Sequence, residues 1–224
     1  MECVITGLTK MNGGRVCMSL YDRDGGRYIR PLKDGNTNFT ETDLIDIELF
    51  SIVEIEERNN ESNPVRPHVE DTVVSKFGYY KPNKVLSSQE IRKFLATISS
   101  ISVNDLFGYD EEGESNLVLD NRNWGLRPNT GMCSLGTVEV EWLEVYRDSW
   151  GKVRIDFRDK GGATYTHVPL VMKATNEEIQ SLLGEYDEND FAVAYLRLSL
   201  ARPYHSTHWE DTLCALQVSN INIF

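Results

Sequence analysis

The sequence predicts a mainly β protein built as two tandem five-stranded barrels joined by a partly helical connector. Two observations predict it. The chain carries the same hairpin-like passage twice, GRVCMSLYDRDGGRYIRPL at 14–32 and GKVRIDFRDKGGATYTHVPL at 151–170. Each copy is also followed by enough short alternating segments to complete a small closed sheet. Gly14-Arg15-Val16 meets Gly151-Lys152-Val153, Asp22 meets Asp159, Gly25-Gly26 meets Gly161-Gly162, Tyr28 meets Tyr165, and Pro31-Leu32 meets Pro169-Leu170. The offset stays between 136 and 138 residues. That is too long for a solenoid repeat and right for a duplicated small domain.

In the first copy, residues 2–8 read as a strand, 15–21 alternates, and Asp24-Gly25-Gly26 turns the chain into a strand over 27–32. Residues 45–56 alternate acidic and apolar side chains, as a half-buried strand does, and 68–76 offers a fifth. In the second copy, 137–146 is a strand and 152–158 and 164–168 form a hairpin. Residues 175–184 read as a helix with Thr175 as N-cap, Glu178 three residues on and Gly184 as its stop. Segments 191–201 and 212–221 supply the remaining strands. Strand, strand, strand, helix, strand, strand is the order of an OB barrel, although other small barrels fit the same order.

These elements divide the chain into a first barrel over 1–80, a connector over 81–133 and a second barrel over 134–224. The connector contains an amphipathic helix at 88–98 (Ile91, Phe94, Leu95 and Ile98 on one face) and the acidic stretch 108–114. It is too apolar for a free linker, so it is expected to pack on the barrels.

Composition bounds the function. The 224 residues are 40% hydrophobic and 10% aromatic, as in an ordinary folded protein. No apolar run approaches the roughly 20 residues of a membrane span, and the N-terminus lacks a signal-peptide pattern. Four scattered cysteines (Cys3, Cys17, Cys133, Cys214) show neither zinc nor disulfide spacing, which points to the cytoplasm. The net charge of −12 excludes a non-specific DNA-coating protein. Locally the balance reverses. Residues 10–33 hold six basic side chains against Asp22 and Asp24, and 147–173 hold six against Asp148, Asp156 and Asp159.

The early Gly13-Gly14-Arg15, the Tyr28-Ile29-Arg30-Pro31 ending of the first hairpin, and Pro-x-x-Pro-His-x-Glu at 64–70 resemble the dual OB domain family of bacterial proteins. So do Leu198-Ser199-Leu200-Ala201-Arg202-Pro203 and Cys214-Ala215-Leu216-Gln217-Val218. The resemblance covers nearly the whole chain. It implies two tandem OB folds and a nucleic-acid or nucleotide sensing role within prokaryotic defence loci. No catalytic residue set comes with it.

OB barrels bind through the face of their second and third strands and the flanking loops, with cations along phosphates and flat groups stacked on bases. The candidate binding residues are Arg15, Arg27, Tyr28 and Arg30 in the first hairpin and Lys152, Arg154, Arg158, Tyr165 and His167 in the second. Arg202 and Trp209 join them from the segment 204–211. Strand alternation sends about half of such residues inward, and Arg30 and Arg202, each before a proline, serve equally as clamps on a carboxylate. His205 and His208 are poorly spaced for a metal, and no catalytic residue, metal or cofactor is expected. The expected function is a non-enzymatic recognition module for single-stranded nucleic acid or a nucleotide, working with a protein partner in a larger system. The alternative is an acidic protein–protein adaptor without nucleic-acid binding, docking through 41–61, where eight acidic residues face Arg58 alone.

Overall fold

The computed structural model describes residues 1–45, 47–58, 65–79, 84–187 and 189–224. It divides into two compact units, Met1–Val65 with Glu70–Phe94, and Arg66–Val69 with Leu95–Phe224. The Pro64 that begins the Pro-x-x-Pro-His motif and the Glu61 that ends the acidic stretch lie outside the described residues.

The first unit contains β1 (Glu2–Lys10), β2 (Arg15–Asp22), β3 (Arg27–Leu32), β4 (Phe39–Thr40), a 3-10 turn at Glu41–Leu44, β5 (Ile52–Glu57) and β6 (Asp71–Tyr79). The strands pair in the order β1-β5-β6-β3-β2, and a β1–β2 pairing closes the ring of five. All contacts are antiparallel except β3 with β6, which is parallel. This is the OB ring. Val4, Ile5, Val16, Met18, Leu20, Ile29, Val53 and Ile55 are buried almost completely, so the barrel interior is a packed core.

The strand expected over 45–56 begins only at Ile52. Thr40 and Asp43 form a capping box that starts the 3-10 turn, and Phe50 has φ +61°, a left-handed conformation that no extended strand passes through. Ile45 accordingly stands 67% exposed.

Helix α1 (Ser88–Ile98) matches the expected amphipathic helix. Then follow β7 (Ser99–Ser100), α2 (Val103–Phe107), β8 (Leu117–Asp120) and β9 (Asn123–Leu126). The second barrel proper is β10 (Leu135–Arg147), β11 (Val153–Asp159), β12 (Thr164–Pro169), α3 (Asn176–Leu182), β13 (Gly184–Tyr186), β14 (Ala194–Leu200) and β15 (Cys214–Ile223). Its sheet runs β12-β11-β10-β14-β15-β9-β8. The first five follow the order of the first unit. The parallel contact that closes the ring there shrinks here to one bridge, Leu170 with Val218, and the hydrogen bond from Val171 N to Val218 O. The second sheet is therefore a half-barrel.

Thr175 and Glu178 form the expected capping box, but α3 ends at Leu182 and Gly184 opens β13 instead of stopping the helix. The β8–β9 hairpin is spliced onto β15, with Gly125 opposite Ala215 and Leu126 opposite Cys214. A Cβ on Gly125 would stand 2.8 Å from the Cys214 carbonyl oxygen, so only glycine permits that approach. Among the described residues no helix is long and apolar enough to cross a membrane.

Candidate functional site

The two hairpins carry many cations, and the structure shows that most are already neutralised. Lys10 pairs with Glu41, Arg23 with Glu2, Arg27 with Glu57, and Lys33 with Asp43. In the second hairpin Arg154 pairs with Asp148, Arg158 with Glu141 and Lys160 with Glu139. Arg15 and Lys152 differ. Both are exposed, and neither has an acidic partner among the described residues. They occupy the same corner of the two barrels, Arg15 as the first residue of β2 and Lys152 immediately before β11, each behind a left-handed glycine (Gly14, φ +69°; Gly151, φ +74°).

On the first barrel, the face of strands two and three is largely covered. Arg30 is 3% exposed, with Nη1 2.8 Å from an Asp71 carboxylate oxygen and its backbone N–H on Glu70 O. This is the clamp geometry, and it withdraws the guanidinium from solvent. Tyr28 is half-buried against Tyr21 in an edge-on contact of 5.0 Å, and Phe94 of α1 caps Tyr21 at 5.6 Å. Arg27 stays accessible, held by Glu57 at 2.6 Å. Arg15 stands apart from these, beside Thr40 of β4.

The second barrel presents an open face. Arg154, Asp156 and Arg158 point outward from β11 while Ile155, Phe157 and Asp159 point inward. Tyr165 points inward too: it is 2% exposed and stacks on Phe157 at 5.0 Å, which makes it a core ring that offers no surface to a ligand. The repeat alignment had matched it with Tyr28, but strand register matches it with Ile29, since Leu20 faces Ile29 as Phe157 faces Tyr165. The backbone slips by one residue relative to the letters.

One residue later β12 bulges. Thr166 and His167 together oppose Asp156, and His167 has φ +62°. The Asp156 carboxylate accepts from the His167 backbone N–H at 2.6 Å and from the Tyr146 hydroxyl at 2.9 Å, while His167 Nδ1 lies 3.2 Å from that hydroxyl. The bulge turns the His167 ring onto the outer face, half-exposed. Burial, reinforced by the bond to Asp156, pushes the Tyr146 phenol up to about 12.

The loop before β11 holds a residue that sequence reading missed. Trp150 is 76% exposed. Its loop is rigid: Asp148 Oδ1 accepts from the backbone N–H of Trp150 at 3.0 Å and of Lys152 at 2.9 Å, and Gly151 N donates to Asp148 O at 2.9 Å. Burial pushes the Asp148 carboxyl up, but the bonds from Arg154, Lys152 and Trp150 outweigh it and hold the group below the ordinary carboxylate range. The available signal was Asp-Ser-Trp-Gly, an aspartate-anchored turn bearing a tryptophan.

At the opposite end of the sheet, since β14 runs antiparallel to β10, lies the loop between β14 and β15. It carries exposed Arg202, half-buried Trp209 and Tyr204, which is 63% exposed and meets Trp209 edge-on at 5.8 Å. Asp120 fixes this loop by accepting from Glu210 N at 2.8 Å and Asp211 N at 3.1 Å, and Arg127 pairs with Asp211. The structure thus arrays Lys152, Arg154, Arg158 and His167 along one barrel face, with Arg202 and Trp209 in the loop beyond one end. Beside Arg158 lies a cavity of about 520 Å³ lined also by Trp142, Lys160, Glu139, Glu141 and Asp187, an acidic surround unsuited to phosphate. Among the described residues no three His, Cys, Asp or Glu side chains gather as a metal site.

A family model described as a dual OB-containing domain matches residues 1–221, nearly the whole chain. No curated protein and no solved structure matches.

Proposed function

Since the chain belongs to the dual OB-containing domain family, we propose that it is a non-enzymatic recognition module whose second barrel binds single-stranded nucleic acid. The observation that carries this reading is the corner formed by Trp150 and Lys152: an exposed ring and an unneutralised cation on a rigid loop, flanking an open strand face. An aromatic platform beside a phosphate-seeking cation is what sequence-tolerant single-strand binding requires. Arg154 and His167 extend the surface along the strands, and Arg202, Tyr204 and Trp209 continue it at the far loop. The first barrel, its equivalent face closed by Arg30, Tyr28 and Phe94, serves chiefly as scaffold, with Arg15 as an outlying phosphate contact. The four free thiols support residence in a reducing cytoplasm. Effector chemistry belongs to a protein partner in a larger system, of which the family resemblance makes a prokaryotic defence system the first candidate.

The test is fluorescence anisotropy of labelled single-stranded DNA and RNA at low and physiological salt. Few unpaired cations mean a shallow salt dependence, a log–log slope of about −1 to −2 at ~0.7 per phosphate neutralised. Lys152→Glu abolishes binding and Arg15→Glu weakens it less. Flat traces up to about 100 μM at low salt, the weak end of non-specific nucleic-acid binding, overturn the reading in favour of the acidic adaptor.

A further inference from the structure

The first unit holds a second concave surface beside the hairpin strands, where β6 pairs with β3 and β4 with β2. A cavity of about 420 Å³, within the range of small-ligand pockets, opens among the segment after β3, the end of β5 and the middle of β6. Each of these supplies a cation to it: Lys33, Arg58 and Lys76. Its apolar part is Phe39 and Phe77, with ring centroids 5.0 Å apart and planes inclined by 50°, Phe39 buried at 6% exposure and Phe77 half-exposed. Lys33 Nζ lies 6.0 Å from the Phe39 ring centroid. Three cations from three separate elements over an aromatic floor is an uncommon convergence in a chain of net charge −12.

The carboxylates that hold these cations differ in how easily they yield. Asp43 is fixed: its Oδ2 accepts from Thr40 N at 2.7 Å and from the Thr40 hydroxyl at 2.7 Å while it holds Lys33 at 2.9 Å. Lys33 is thereby positioned at the pocket. Arg58 instead meets Asp34, whose side chain is 68% exposed, and Lys76 lies between Glu56, 58% exposed, at 3.4 Å and Glu54, 43% exposed, at 3.9 Å. Such surface pairs contribute little and exchange readily for a better acceptor. A phosphate dianion is that acceptor, because it takes two parallel bonds from a guanidinium and a third from an ammonium.

We infer that this pocket is a binding site for a phosphomonoester carried on a planar ring, of the size of a nucleoside monophosphate. The phosphate displaces Asp34 from Arg58 and bridges to Lys76, and the ring lies against Phe77. The site is independent of Trp150 and Lys152, so it stands or falls apart from the polymer-binding reading.

The experiment is isothermal titration calorimetry of the full chain at low salt with AMP, adenosine and inorganic phosphate as probes. AMP is expected to bind at least about 10-fold more tightly than either adenosine or phosphate, since both halves of the pocket are then engaged. Arg58→Gln, at a half-exposed position, lowers AMP affinity about 5-fold or more, since the paired charge-assisted bonds of the guanidinium are lost. Phe77→Leu weakens AMP while leaving phosphate unchanged, and Lys152→Glu changes neither. AMP binding no tighter than phosphate, insensitivity to Arg58→Gln in a protein with native circular dichroism, or loss only on Lys152→Glu each overturns the inference.

Discussion

Asp22 and Asp159 close the second strand of the two barrels as buried carboxylates, each accepting a backbone N–H from the hairpin turn that follows. Asp22 is 5% exposed and accepts from Asp24 N at 3.1 Å. Asp159 is fully buried, accepting from Ala163 N at 2.9 Å through one oxygen and from Val103 N, at the start of α2, at 2.9 Å through the other. The duplication has therefore preserved an anchoring aspartate, and in the second copy that anchor also docks a helix.

A stability difference follows from the number of bonds at stake. Asp159→Ala strands one buried amide donor, at about 1–3 kcal/mol, and one half-buried donor, at about 1 kcal/mol, whereas Asp22→Ala frees a single half-buried donor, at about 1 kcal/mol. Urea unfolding followed by tryptophan fluorescence and circular dichroism measures both. Equal losses at the two positions would remove the distinction.

In the proposed reading, single-strand affinity turns on Trp150. Stacking of one base on an aromatic ring contributes about 1–3 kcal/mol, so Trp150→Ala lowers affinity by roughly 5- to 150-fold. Folding is unaffected, because the ring is 76% exposed and its loop is held by Asp148, not by the indole. Quenching of tryptophan emission on titration with oligonucleotide, lost in Trp150→Ala, checks the same contact by a second readout. Unchanged affinity in Trp150→Ala would locate binding elsewhere.

Alkaline pH weakens the fold. Burial, with Asp22 nearby, pushes the Cys3 thiol up to about 12 from a free value of 9.0, and burial, partly opposed by Arg202, pushes Cys214 up to about 11. Tyr146 rises to about 12 from 10.0. All three lose their protons more easily in the unfolded chain, so the unfolded state binds fewer protons above pH 9 and stability falls as pH climbs from about 9 toward 12. The same burial leaves Cys3 and Cys214 unreactive at neutral pH, while half-exposed Cys17 and Cys133 are titrated by a disulfide reagent. Rapid labelling of four thiols in the native protein would contradict this.

How far the sequence could be read depended on which physical feature set each outcome. The duplication and both barrels were legible because core strands repeat their turns and their apolar alternation. The two-residue error at the end of α3 and the missing strand over 45–51 came from backbone conformation, Gly184 at φ +148° and Phe50 at φ +61°, which residue letters do not display. At the site, Tyr28 and Tyr165 carry the same letter on opposite sides of the sheet, because register and not alignment decides which way a strand residue faces. The basic character of the hairpins was visible, but its neutralisation depends on Glu2, Glu57, Glu139 and Glu141 from other strands, and no local pattern reveals those pairs. Trp150 escaped notice because its partner in the first copy is a glycine, so a search guided by the repeat passed over it.

His167 offers the sharpest separation of structure from function. A left-handed residue other than glycine costs about 1 kcal/mol, and glycine adopts φ +62° without that cost. His167→Gly therefore keeps the bulge and the backbone bond to Asp156, losing only the ring contact with the Tyr146 hydroxyl, and its unfolding midpoint stays within a few degrees of the parent protein. His167→Val, β-branched in a left-handed position, is destabilised by about 1–2 kcal/mol or more. Oligonucleotide affinity moves differently. If the strained histidine serves the binding face, His167→Gly binds several-fold more weakly while folding as well as before, a combination that a purely structural residue cannot produce. Full affinity in His167→Gly would make the histidine a turn residue and confine recognition to the two loops that carry Trp150 and Trp209.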